Sequence, residues 1–224
     1  MDKKLKEYID KNIKSKYKTF DKAHNISHYN FVTKNCRNYA KILNFQSNNS
    51  NNCDYINLDI AFIVGAYHDI GLINGREKHA LFSGEFVRND LFLKNYYNED
   101  IIEMIAEAVE DHSSHLEYEP RNIYGKIVAD ADRNNSKYLV FSRPIKYGLK
   151  NQKHLSKKEQ INRVYDFVQK KFGRNGYVKY WLDIEETKKE QQEIWNLLDD
   201  EILCKKYIEG VFDEITKGKY IQKI

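Results

Sequence analysis

Residues 60–67, Ile-Ala-Phe-Ile-Val-Gly-Ala-Tyr, make the longest apolar run of the chain, and His68 and Asp69 follow it directly. Eight residues are far too few to cross a bilayer, which takes about 20. The wider stretch 58–67 is apolar nearly all round, which predicts a helix buried in the middle of a fold, with Gly71 as its stop. Such a helix carries an ionisable pair to the rim of the core. Buried charge there is costly unless it is paired or binds a metal.

The remaining apolar spacing is helical almost throughout. Phe31, Cys36, Tyr39, Ala40, Ile42 and Leu43 predict a first core helix opening near Asp21 or Ser27, either of which could cap it. The Asn/Ser cluster 48–52 reads as a loop. Amphipathic stretches follow at 81–93 and 101–112, Pro120 marks a turn, and 123–139 resumes the helical pattern. Beyond Pro144 the texture changes. Long, highly charged helices are expected at 156–172 and 185–215, joined by a connection at 173–180 that contains the only strand-like run, 177–180. The expected architecture is all-α, with a core over 1–150 and a helical extension over 151–224 packed on that core.

Composition closes off several classes. In 224 residues, 41% are hydrophobic and 13% aromatic, which excludes a disordered chain. A formal charge of +4 suits a phosphorylated small molecule but is not the basic stripe of a nucleic-acid binder. Three cysteines, Cys36, Cys53 and Cys204, form no CxxC pair, so neither a disulfide framework nor a thiolate zinc site is expected. Residues 1–18 are dense in charge and lack a secretory apolar core, so a cytoplasmic protein with no membrane partner is expected.

The histidines stand near the ends of the expected core helices. His24 and His28 lie near the start of the first, His68-Asp69 at the end of the buried one, His79 further on, and His112 and His115 at the end of the next. Asp130 and Asp132 sit on the helix after that. Taken singly, a histidine at a helix end is usually solvated or capping, and His154 among lysines keeps that reading. Together, imidazoles and carboxylates are a ligand mixture for Mn, Fe, Co, Ni or Zn rather than Ca. Adjacent helical residues diverge by about 100°, so His68 and Asp69 cannot both face one isolated ion without strain. Two neighbouring ions bridged by Asp69, or one ion where the helix loosens, would remove the conflict.

The pattern His28 … His68-Asp69 … Asp130 resembles the HD-domain metal-dependent phosphohydrolase superfamily. His68-Asp69-Ile70-Gly71 is similar to the central motif of its bacterial members, and 21–28 approaches the opening Asp-x-x-His-x-x-x-His. The resemblance covers about 20–140 and implies an all-helical HD-domain bundle. It implies a first metal held by His28, His68, Asp69 and Asp130, and, in two-metal members, further ligands at His79 and His112. His24 could replace His28, His115 could replace or join His112, and Asp132 could replace Asp130. Family spacing favours His28, His112 and Asp130, leaving His24 and His115 to hold a ligand or substrate through a hydrogen bond.

A divalent metal lowers the pKa of bound water and clamps phosphoryl oxygens. The expected reaction is therefore hydrolysis of a phosphomonoester or phosphoanhydride, of a nucleotide or related small molecule, by a metal-activated hydroxide. Asp69, with His68, is the expected catalytic pair. Arg76, Lys78, Arg133, Arg143 and Lys146 are cations that could neutralise phosphate; for any one of them a solvated surface, or for Arg133 a salt bridge, is the blander reading. Two other activities fit the residues: a di-iron oxygenase on the same ligands, and a ligand-sensing or interaction module without turnover. The charged extension could pack on a partner copy as readily as on its own core, so homo-oligomerisation stays open.

Overall fold

The computed structural model describes residues 1–21, 23–48, 55–133 and 136–221, and among them every regular element is helical. These residues fall into two compact units. One comprises Met1–Arg133 with Tyr180–Leu182, the other Asn134–Lys179 with Asp183–Ile224.

The first unit is built around the helix that the apolar run predicts. That helix, α3, spans Leu58–Tyr67 and buries every residue from Ile60 to Tyr67. Its N-terminus is capped by Asn57, whose side chain accepts from the backbone N–H groups of Asp59 and Ile60. Four helices pack against it: α2 (Ile26–Asn48), α4 (His79–Asn89), α5 (Glu99–Glu110) and α6 (Ile123–Arg133). Asn25, rather than Asp21 or Ser27, caps α2, its Oδ1 accepting from Ser27 N at 2.9 Å and His28 N at 3.3 Å. Residues 49–52 of the expected Asn/Ser loop lie outside the described residues.

The N-terminal segment has a structural role that its charge density hides. A short helix α1 (Lys3–Tyr8) continues through a wide turn, Ile9–Ile13, and a tighter one, Lys14–Lys18. Leu5, Ile9, Ile13 and Tyr17, four apart, are all buried. This i, i+4 stripe is the apolar face that docks the segment on the core.

The second unit packs α7 (Lys137–Asn151), α8 (Lys157–Phe172), α9 (Glu185–Leu198) and α10 (Glu201–Ile221) around Phe141, Ile145, Val164, Val168, Ile194, Leu198, Cys204 and Ile208. The division therefore falls at Arg133 and not at 150. Pro144 lies inside α7, whose Val140, Phe141 and Ile145 face this second core. Helix α8 opens with a reciprocal capping box between Ser156 and Glu159. The single helix expected over 185–215 is two helices, because Asp200 caps a new start by accepting from Leu203 N at 3.0 Å. The strand-like run 177–180 is irregular backbone.

Candidate metal centre

Five helix termini of the first unit meet at one place. Helix α2 brings His28 in its first turn, α3 ends on His68 and Asp69, α4 opens with His79, His112 follows the end of α5, and Asp132 lies in the last turn of α6. His68 still has helical backbone, whereas Asp69, at φ −108° and ψ 5°, has left it. That departure lets two adjacent side chains converge, which a continuous helix forbids.

The turn after His68 is held by two hydroxyls that the sequence reading missed. Tyr17, fully buried, donates to the carbonyl of Ala66 at 2.9 Å and accepts from the backbone N–H of Asp69 at 3.2 Å. Ser83 donates to the carbonyl of His68 at 2.7 Å and accepts from Gly71 N at 2.9 Å. Gly71 is needed for this approach, since a Cβ there would run into the His79 carbonyl and lie 2.6 Å from Ser83 N. The four-residue repeat Leu5, Ile9, Ile13, Tyr17 was the available signal for Tyr17. Ser83 carried none.

The carboxylate of Asp69 is shared between two sets of imidazoles. Its Oδ2 lies 3.1 Å from His68 Nε2 and 3.4 Å from His28 Nε2, while its Oδ1 lies 3.5 Å from both His79 Nε2 and His112 Nε2. Nε2 of His28 stands 3.1 Å from Nε2 of His68, and Nε2 of His79 stands 3.1 Å from Nε2 of His112. Three of the rings are fixed from behind: Nδ1 donates to Gly65 O at 2.8 Å from His68, to Arg76 O at 2.8 Å from His79, and to Val109 O at 2.6 Å from His112. A neutral imidazole with its proton on Nδ1 presents a lone pair at Nε2. Lone pairs therefore face one another across the His79–His112 pair, and Asp69 Oδ2 is buried with no hydrogen-bond donor. Such a cluster is stable only around positive charge, and the imidazole–carboxylate donor set fits a divalent transition metal in each half. His28, His68 and Asp69 form one group of ligand atoms within 4.8 Å, and Asp69, His79 and His112 form a second.

Electrostatics within the cluster favour the charged forms of His28 and Asp69. Burial alone would lower the His28 imidazole, but Asp132 and Asp69 outweigh it and raise it to about 9. Burial would likewise raise Asp69, yet the surrounding imidazoles hold it well below the usual carboxylate range. His79 is lowered, by burial and by the neighbouring His112.

The expectation that Asp130 supplies the late carboxylate is corrected by the geometry. Asp132 Oδ1 lies 3.1 Å from His28 Nε2. The Asp130 carboxylate accepts from the backbone N–H of Trp181 at 3.0 Å and of Leu182 at 2.8 Å, tying residues 180–182 to α6. Two helical residues apart is a rotation of about 200°, so only one of these aspartates can face the cluster. Burial raises the Asp130 carboxyl to about 6 against the pull of those two N–H donors.

The other expected residues are dispersed. His24 stands at the rim, its ring 5.8 Å from that of His28 and its Nδ1 2.8 Å from Asp21 Oδ1. Arg76 reaches the same Asp21 at 3.3 Å and is exposed, as are Lys78 and His115. Arg133 is buried and donates to the carbonyls of Ser113 at 2.6 Å and His112 at 3.4 Å, propping the ligand loop rather than facing substrate. Arg143 and Lys146 belong to α7, in the other unit.

Residues 25–134 match the family model described as HD domain. Comparisons with curated proteins and with solved structures gave no match. Among the described residues no helix is long and apolar enough to cross a membrane.

Proposed function

We propose that this chain, whose residues 25–134 match the HD-domain family model, hydrolyses a phosphomonoester or phosphoanhydride of a nucleotide or related small molecule, in keeping with a family made up mostly of metal-dependent phosphohydrolases. The observation that carries the reading is the division of Asp69, one carboxylate oxygen to each imidazole group. His28, His68, Asp69 and Asp132 would hold one divalent ion, and Asp69, His79 and His112 a second. Bound there, such ions supply Lewis acidity: they lower the pKa of water and neutralise phosphoryl oxygens.

The side chains do the rest. Asp69 orients the attacking water and accepts its proton as the new P–O bond forms. The bond to the leaving oxygen breaks, and that oxygen takes up a proton from the rim, where His24 stands on Asp21. The Nδ1 hydrogen bonds of His68, His79 and His112 keep the rings aimed, so little reorganisation accompanies the reaction. The test is turnover of p-nitrophenyl phosphate and a nucleotide panel by protein reconstituted with Mn²⁺, Co²⁺ or Ni²⁺. Asp69→Ala should lower the rate by about 10³-fold or more while the helical circular dichroism stays unchanged. An unchanged rate, or oxygen uptake by iron-loaded protein in place of phosphate release, overturns the proposal.

A further inference from the structure

Away from the histidine cluster, Thr33, Lys34, Arg37, Asn38 and Lys41 of α2 and Phe62 of α3 line a cavity of about 350 Å³. That is the lower end of the range for small-molecule sites, about 300–1,000 Å³. None of the six residues has a part in the proposed reaction. Lys34, Arg37 and Lys41 are spaced by three and four residues, which puts them in file on one helix face over about 10 Å of axis.

Several cations of the same unit are neutralised by carboxylates. Arg76 is paired with Asp21, Arg88 with Glu103, Arg121 with Asp111 and Lys6 with Asp10. Lys34, Arg37 and Lys41 have no carboxylate partner among the described residues. The Arg37 Nε–H is, in addition, buried without any acceptor. A guanidinium N–H withdrawn from water, in a cavity shared with two ammonium groups and an amide, lacks an acceptor of negative charge.

We propose that this groove binds a short chain of linked phosphates, either a free oligophosphate or the phosphate tail of a nucleotide, at a place separate from the metal cluster. A single phosphate carries about −1.5 to −2 charge and cannot engage three cations spread along two helical turns. Two or three linked phosphates match both the charge and the length. The inference stands on the groove alone and survives if the chain proves to have no hydrolase activity.

The experiment is calorimetric titration of the full, metal-free protein with inorganic triphosphate, and separately with a nucleoside triphosphate. Saturable binding of one anion per chain is expected, weakened about tenfold or more by Arg37→Gln and unaffected by Asp69→Ala. Lys41→Gln, at an exposed position, should weaken it in the same direction and guards against a folding defect in the first variant. Mn²⁺ stoichiometry of both groove variants should equal that of the wild type. Equal affinity of the two triphosphates supports recognition of the phosphate chain itself, and tighter binding of the nucleotide supports its tail as the ligand. Binding lost in Asp69→Ala but kept in Arg37→Gln overturns the proposal, as does an absence of saturation. An adventitious ion only, shown by sulfate binding as well as triphosphate, overturns it too.

Discussion

The two units handle charge in opposite ways. Among the described residues, the first buries His28, His68, Asp69, Asp111, His112, Asp130 and Arg133, whereas the buried polar side chains of the second are the neutral Ser142, Gln160 and Thr187. The second unit keeps its ion pairs outside, for example Lys157 with Glu209 and Asp213 and Arg174 with Asp199. Taking a charge out of water costs several kcal/mol per group unless partners repay it. The first unit bears that cost mostly where side chains converge on one point, while the second is held by an apolar seam. One is organised around a reaction centre and the other around packing.

The sharpest way to break this contrast uses two aspartates of one helix. Asp132→Asn should lower metal content from about two ions per chain towards one and reduce turnover by about 10²-fold or more. Asp130→Asn should keep both ions, because that carboxylate serves only the backbone N–H groups of Trp181 and Leu182. Elemental analysis with parallel kinetics checks both, and equal losses in the two variants would mean that the geometry at the end of α6 is misassigned.

Within the second unit, Phe141→Ala removes a fully buried ring from the apolar seam. It should cost about 3–5 kcal/mol in denaturant unfolding, with metal stoichiometry retained below the transition. If the metal site were lost together with that seam, the two units would not be separable in the way their burial patterns suggest.

Much of this was legible in the sequence, and the failures have physical causes. The buried helix α3 was legible because eight apolar residues leave no solvated face, and α8, expected over 156–172 from its helical pattern, spans Lys157–Phe172. His28, His68, Asp69, His79 and His112 were implied as a set by the resemblance to the HD-domain superfamily, and the structure brings all five together. The choice between Asp130 and Asp132 failed because Ile127, Val128, Ala129 and Ala131 are all buried. With apolar residues on several sides of α6, the pattern does not fix the helix phase, and phase alone decides which aspartate turns inward. Tyr17 was hidden by lysines on either side, although its four-residue register with Leu5, Ile9 and Ile13 was there to read.

A metal-removal experiment gives the next effect in size. Ions bound at 100 times their Kd should stabilise the first unit by about 2.7 kcal/mol. Chelation should therefore lower its unfolding midpoint and leave that of the second unit in place, observable as two separated transitions by calorimetry. Tyr17→Phe should then weaken metal binding by about tenfold. The ring still fills its buried place, but the hydroxyl that joins Ala66 O to Asp69 N is gone.

The smallest effect is expected at the surface of the second unit. Lys157 faces Glu209 and Asp213, each at 2.8 Å, and on distance alone would rank with the tightest pairs of the molecule. All three side chains are at least 40% exposed, so water and salt screen the attraction and the long lysine chain loses freedom in making it. Lys157→Ala should leave the denaturation midpoint unchanged within error at 0.15 M salt. By contrast, Asp69→Ala, which removes a carboxylate from among four imidazoles 3.1–3.5 Å away, should abolish metal binding. If Lys157→Ala proved as damaging as Phe141→Ala, the second unit would depend on its charges after all, and the division of labour between the two units would fail.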